Sequence, residues 1–194
     1  MHIHDCVAVV LAGGESKRMG ADKASVLLDG KSLLNHVLEA VRPLFEKTVV
    51  SVHTRRDDLD DTQVVDTSKA RGPMMGVCQA LEVVETDWVF VVGCDMPFVS
   101  PDLIRLLAAK RSGHDAVVVM HKKMPQPLFA FYARSCLPVM QTNIQQDKRS
   151  LRHMLAQVDT HYVSEEDART ADAELKSLCS LDTEEDVKNR ERLL

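Results

Sequence analysis

Glycine and proline are scarce: eight and seven in 194 residues leave no Gly/Pro-rich linker and no low-complexity stretch. Long apolar runs are missing as well. The longest, Cys6–Ala12 and Trp88–Gly93, fall far short of the roughly 20 residues a membrane-crossing helix needs, so no membrane partner is expected. The five cysteines, Cys6, Cys78, Cys94, Cys136 and Cys179, contain no C-x-x-C pair, which argues against a disulfide framework or a zinc site and fits a reducing compartment. Ahead of the first apolar run, Met1–Asp5 has no Lys or Arg, so that run reads as a buried strand and not as a secretory signal; a cytoplasmic location is expected. Positive charge is not in excess either. Lys plus Arg total 24 against 29 Asp plus Glu, a net charge of −5, which does not suggest a nucleic-acid partner, and a polyanionic ligand must find a local basic cluster. What is there, 45% hydrophobic and 27% charged, is the balance of a soluble globular protein, read as one domain over residues 1–194.

Apolar patterning alternates between two periods. The valine-rich run Cys6–Ala12, closed by Gly13 and Gly14, predicts a strand buried on both faces of a parallel sheet. After Ser32, the positions Leu33, Leu34, Val37, Leu38, Val41 and Leu44 recur at helical spacing and predict about three turns. Strands follow at Thr48–Val52 and Gln63–Val65, a helix from about Met75 to Val84, and a strand at Trp88–Gly93. Ser100-Pro101-Asp102 is a helix start, with a hydroxyl cap, proline in the first turn and an acid at the positive end of the dipole. Further strands are expected at Ala116–Met120 and Leu128–Tyr132, and helices at Ser135–Thr142 and Ser150–Gln157. Val163–Ala173 reads as an acidic polar stretch, followed by a short strand in S-L-C-S-L-D and a closing helix capped by Thr183. The order predicts a three-layer α/β/α sandwich on a mostly parallel, Rossmann-like sheet. Ligands of such sheets sit beyond the carboxyl ends of the strands, so the loops at 12–23, 66–76 and 94–99 should share a crevice.

Two of these loops carry recognisable chemistry. L-A-G-G-E-S-K-R-M-G-A-D-K-A sets Gly13 and Gly14 directly after a strand, where amide N–H groups can approach phosphate oxygens, with Arg18 and Lys23 to neutralise charge. It has neither P-loop nor dinucleotide-fingerprint spacing, and an ordinary turn with solvated bases is the alternative. V-F-V-V-G-C-D-M-P-F delivers Asp95 at the end of an uncharged strand, suited to Mg²⁺, which uses one or two carboxylates and completes its shell with phosphates and water. Capping of the following turn is the alternative for Asp95. Cys94 reads as packing, since no histidine nearby in sequence suggests a thiolate partner. Outside the loops, His2 and His4, Arg55 to Asp58, and Lys148 to Ser150 read as surface or helix-end residues, while Lys122 and Lys123 lie near Q-P-L-F-A-F-Y and can meet an anionic second substrate.

The strings L-A-G-G-E-S-K-R-M-G-A-D-K-A, D-T-S-K-A-R-G-P-M-M-G-V, G-C-D-M-P-F, Q-P-L-F-A-F-Y and L-D-T-E-E-D occur in the order seen in the molybdenum cofactor guanylyltransferases, which the chain resembles over nearly its whole length. The resemblance implies the nucleotide-diphospho-sugar transferase type of fold, and transfer of GMP from GTP to the terminal phosphate of molybdenum-bearing molybdopterin, with release of pyrophosphate. By position, Leu11, Ala12, Gly13 and Gly14 match the backbone that holds the guanine nucleotide. Lys23 matches the phosphate-binding lysine, Arg18 belongs to the same loop, Asp66 matches a nucleotide-contacting aspartate, and Asp95 matches the Mg²⁺ ligand. Gly72 and Gly76 match the glycines that open the helix facing the nucleotide. The resemblance further implies protein partners that insert molybdenum or receive the labile pterin. In two places the chain departs from the family pattern. Ser51 stands where asparagine is common, and Ser180-Leu181-Asp182-Thr183-Glu184-Glu185 replaces N-x-N-T-P-E-E, making Asp182 a second candidate cation ligand and bringing the motif nearer to the related cytidylyltransferases. Three readings thus stand at this point: a guanylyltransferase, a cytidylyltransferase on the same pterin, and a nucleotide-binding relative without turnover.

Overall fold

The computed structural model describes residues 2–13, 22–66 and 72–189. In chain order the elements are β1 (Cys6–Leu11), the short hairpin β2 (Leu27–Leu28) and β3 (Lys31–Ser32), α1 (Leu33–Val41), β4 (Thr48–Val52), β5 (Thr62–Val65), α2 (Pro73–Val83), β6 (Trp88–Gly93), α3 (Pro101–Ala108), β7 (Ala116–His121), β8 (Met124–Ala133), α4 (Leu137–Gln145), α5 (Leu151–Leu155), β9 (Thr160–Val163), α6 (Glu165–Arg169) and α7 (Glu184–Lys188). Seven strands form one sheet in the order β5-β4-β1-β6-β8-β7-β9. Every neighbouring pair is parallel except β6 with β8 and β7 with β8, so β8 alone runs against the rest. Among the described residues, no helix is long and apolar enough to cross a membrane.

The layers follow from strand alternation, which sends successive side chains to opposite faces. Ala8 and Val10 of β1 and Phe90 and Val92 of β6 point to one face, where α1 and α3 cover them with Leu34, Leu38, Leu103 and Leu107. Val7, Val9, Val89 and Val91 point to the other, under α2, α4 and α5, which contribute Val77, Leu81, Met140 and Met154. This is the three-layer sandwich expected. Four of the five phenylalanines meet in the first layer: Phe90 stacks on Phe45 (centroids 5.6 Å apart), meets Phe129 edge-on at 5.2 Å and lies 4.9 Å from Phe131.

Helix starts match their caps. Ser32, Ser100 and Ser150 each accept an amide hydrogen bond three residues on, and Thr183 with Asp186 makes a capping box on α7. The structure corrects two expectations near the end of the chain. The segment Ser177–Asp182 holds no strand; it begins in a 3-10 turn, Lys176–Leu178, whose amides at Lys176 and Ser177 are taken by the Asp172 carboxylate at 3.1 and 2.9 Å. Backbone donors used in that way are not available to a ladder. The edge strand is instead β9, which pairs with β7 and buries Val163 while leaving Tyr162 45% exposed, and the acidic stretch after it contains α6, capped by Ser164. An edge strand needs little apolar signal, so T-H-Y-V escapes a reading based on hydrophobic runs. The strand expected at Leu128–Tyr132 is longer, because β8 begins at Met124 directly after a turn that places Lys122 and Lys123 at φ 50° and 64°.

Phe90→Ala should cost about 3–5 kcal/mol in equilibrium urea unfolding, since it empties the centre of the aromatic cluster. Burial raises the thiol pKa values of Cys6, Cys78 and Cys136 to about 12, and Cys94 is also buried. Titration of the native protein with a thiol-reactive disulfide at pH 8 should therefore modify Cys179 ahead of the others, with all five reacting only in denaturant.

Candidate active site

A cleft of about 380 Å³ opens at the carboxyl ends of β1, β4, β5 and β6. Its walls come from the three loops expected to share a crevice, with Gly13 and Lys23 from the first, Asp66, Gly72 and Gly76 from the second, and Cys94 and Asp95 from the third. A larger opening of about 660 Å³ lies at the other end of the sheet, between Asp5, Trp88 and Asp115. It faces the amino ends of the parallel strands, away from the crevice where such sheets bind ligands.

One end of the cleft is acidic and holds a cation. Gly93, the last residue of β6, turns the chain so that Asp95 folds back over it. A Cβ on Gly93 would lie 2.5 Å from Asp95 Oδ1, so a side chain at that position would push the Asp95 carboxylate from its place. Lys23 approaches from the 3-10 turn Lys23–Ser25, whose start is capped by Asp22. Arg56 ion-pairs with Asp22 and donates to Ser25 Oγ, so this arginine of the surface-like run 55–58 ties the lysine's turn to the loop after β4. The Nζ of Lys23 donates to Asp95 Oδ2 at 3.1 Å and to Asp182 Oδ1 at 2.6 Å. Burial penalises the ammonium, yet the hydrogen bond to Asp182 and the charge and hydrogen bond of Asp95 outweigh that penalty and hold Lys23 above the ordinary lysine value.

Asp182 arrives from the far end of the chain by backbone docking. The amide of Leu181 donates to the carbonyl of Asp95 at 2.8 Å, Leu181 packs with Leu28 and Leu33, and Ser180 Oγ donates to Asp182 Oδ2 at 3.0 Å. The sequence places Asp95 and Asp182 far apart; the fold brings both carboxylates onto one cation. That convergence fits a divalent ion, because Asp95 Oδ2 and Asp182 Oδ1 already share the Lys23 ammonium as a stand-in. Among the described residues no group of three or more His, Cys, Asp or Glu can hold a metal by itself, which matches an ion that takes its remaining ligands from phosphates and water.

The other end of the cleft is less charged. His53 packs against Gly13, and its Nδ1 lies 3.7 Å from Oδ2 of Asp66, which is nearly buried. Gln79 of α2 donates to Asp66 Oδ1 at 3.2 Å. Sequence singles out neither His53 nor Gln79; both lie outside the glycine-rich strings, and the end of β4 brings His53, and α2 brings Gln79, to Asp66 at the end of β5. Ser51 lines the cleft beneath α2, where a Cβ on Gly76 would come within 2.8 Å of Ser51 Oγ, so the glycine at that point of the helix allows its close approach to β4. Gly72 caps α2 at φ 135°, a backbone angle that side chains rarely adopt.

Of the first-loop positions, Leu11 and Gly13 line the cleft, while the N–H of Ala12 donates to the carbonyl of Ser51 at 2.8 Å and is spent within the sheet. Ala12 itself is packed into the core. Gly14 and Arg18 lie outside the described residues. Cys94 is buried, and burial pushes its thiol pKa far up, in line with packing and not nucleophilic attack. Lys122 and Lys123 stand on the β7–β8 turn, where Glu165 accepts the Lys122 amide at 2.9 Å.

The MobA-like NTP transferase domain matches residues 8–163. The probable molybdenum cofactor guanylyltransferase of Pelotomaculum thermopropionicum is 32% identical over 170 residues, covering 86% of this chain and 83% of that protein. The molybdenum cofactor guanylyltransferase of Desulfosudis oleivorans is 29% identical over 187 residues, covering 94% and 93%. Among solved structures, molybdopterin-guanine dinucleotide biosynthesis protein A from Archaeoglobus fulgidus superposes with a TM-score of 0.85 at 30% identity, covering 96% and 97%. A 2-C-methyl-D-erythritol 4-phosphate cytidylyltransferase from Francisella tularensis, 18% identical with a TM-score of 0.70, shares the fold. The chain therefore belongs to the MobA-like NTP transferase family, that of the molybdenum cofactor guanylyltransferases, and is a nucleotidyltransferase.

Proposed function

We propose that the protein transfers GMP from GTP to the terminal phosphate of molybdenum-bearing molybdopterin, in the cytoplasm, and releases pyrophosphate. The observation that carries this reading is the meeting of Lys23, Asp95 and Asp182 at one end of a cleft whose other end offers His53 and Asp66 to a nucleoside. The names of the relatives supply the base and the acceptor.

The chemistry asks little of the protein in the way of proton transfer. A phosphate monoester has its second pKa near ~6, so the acceptor is mostly dianionic at neutral pH and needs no general base. An acceptor oxygen forms a bond to the α-phosphorus while the bond from that phosphorus to the α–β bridging oxygen breaks, and the electron pair leaves with pyrophosphate. The obstacle is the approach of two polyanions to a chain of net charge −5, so catalysis rests on positioning and local neutralisation. Lys23 supplies that positive charge at the phosphates. Asp95 and Asp182 would hold Mg²⁺, which when bound contributes Lewis acidity at phosphate oxygens. At the other end, Asp66 is held by Gln79 and by its own amide, which donates to the Val52 carbonyl at 2.7 Å, so its carboxylate meets the nucleoside from a fixed direction.

Asp182 favours CTP as a second reading, since an acid at that position resembles the cytidylyltransferase motif. Thermal unfolding with Mg²⁺ and either GTP or CTP separates the two. A nucleotide at a hundred times its dissociation constant adds ~2.7 kcal/mol, a rise of about 5–10 °C in Tm, and GTP should give the larger rise. A larger rise with CTP changes the base; no rise with either removes the nucleotide site. Asp95→Asn should lower the rate of pyrophosphate release by about 100-fold or more while Tm without ligand stays close to that of the parent. Near-parental turnover at saturating Mg²⁺ would take Asp95 out of the reaction.

A further inference from the structure

The ammonium of Lys23 occupies the one place from which both acidic side chains of the site can be reached. Its Nζ is 3.1 Å from Asp95 Oδ2 and 2.6 Å from Asp182 Oδ1, and Lys23 and Asp95 are each only 19% exposed. A Mg²⁺ ion coordinating the same two oxygens would need to stand ~2.1 Å from each, within the space the ammonium fills. Two cations so close repel, with less solvent to screen them on the Asp95 side than on the side of Asp182, which is 49% exposed. Ser180 Oγ donates to the second oxygen of Asp182 and the Leu181 amide fixes the Asp95 backbone, so the two carboxylates converge on the ammonium. Lys23 can move, since its charge sits at the end of a flexible four-carbon stem.

We propose that Lys23 is an internal counter-ion that keeps divalent metal off Asp95 and Asp182 in the free protein and releases them when nucleotide phosphates take its ammonium, so that metal and nucleotide enter together. This rests on the nucleotidyltransferase reading of the same cleft. One lysine then serves two partners in turn, carboxylates before binding and phosphates after it. The coupling is reciprocal: whatever nucleotide does to metal affinity, metal does to nucleotide affinity.

The test is binding of Mn²⁺, followed by the loss of its free-ion electron paramagnetic resonance signal, with no acceptor and no turnover. Without nucleotide, Lys23→Gln should bind Mn²⁺ about tenfold or more tighter than the parent, while Lys23→Arg, which keeps the charge, should stay near the parent. Adding Asp182→Asn to Lys23→Gln should abolish the gain, which assigns the ion to these carboxylates. After subtraction of the Mn²⁺ taken by the analogue alone, a GTP analogue with a methylene group between the α- and β-phosphorus should tighten Mn²⁺ binding to the parent far more than to Lys23→Gln. Equal Mn²⁺ affinity in the parent and Lys23→Gln overturns the proposal, as does low-micromolar affinity of the nucleotide-free parent. If Lys23→Gln does not fold, Lys23→Met supplies the same comparison, and the nucleotide-free parent titration still overturns the proposal at low-micromolar affinity. If the analogue does not bind the parent, the nucleotidyltransferase reading of the cleft fails, while the comparison with Mn²⁺ alone still scores the exclusion of metal by Lys23.

Discussion

Strands β1 and β6 lie side by side in the middle of the sheet, paired in register from Cys6 with Trp88 to Leu11 with Gly93, and their common end sets the position of the acidic end of the cleft. The ladder does not stop at the last strand residues. The amide of Cys94 donates to the Leu11 carbonyl, and the amide of Leu181 donates to the carbonyl of Asp95, so the backbone past β6 is bonded first to the neighbouring strand and then to the carboxy-terminal segment. Each bond is modest by itself. Together they hold Asp95 and Asp182 within reach of one ammonium, a placement that loops alone would leave to chance.

Around that fixed end the division of labour follows the sheet order. On the β4–β5 side, His53, Asp66 and α2 make a weakly charged end suited to a nucleoside. At β6 the acidic residues and Lys23 make an end suited to phosphates. Beyond it β8 runs the other way, starting from the turn with Lys122 and Lys123 and carrying Leu128 into the cleft wall. The antiparallel strand thus lets a hairpin project past the end of its neighbours, which a strictly parallel sheet could do only through a longer crossover.

The elements that bury a continuous apolar face were legible before any coordinates: the two-faced valine runs of β1 and β6, the helical spacing of α1, and the capped starts of α3 and α7. So was the place of Asp95 in the cleft, because the strand that carries it ends where parallel sheets bind their ligands. The rest was not, for identifiable reasons. β9 is an edge strand with a single buried hydrophobe, too little signal for a periodicity argument. The Ser177 turn is organised by one carboxylate, Asp172, which composition does not reveal. Asp182 was named as a second cation ligand through resemblance, but its contact with Lys23 depends on a satellite cluster of Leu28, Leu33 and Leu181 that joins distant parts of the chain. His53 and Gln79 become visible only once β4, β5 and α2 are laid together.

Trp88 is the only tryptophan of the chain, and it opens β6, the strand whose other end carries Asp95. Five steps from Trp88 to Gly93 at ~3.3 Å per residue set the indole about 16 Å from the cleft. There the Arg111 guanidinium lies over it, 5.5 Å from the ring centroid. Its fluorescence is consequently an optical gauge of the fold that is blind to the ligand end: emission follows unfolding of the central strand while bound nucleotide leaves the local surroundings of the chromophore as they were.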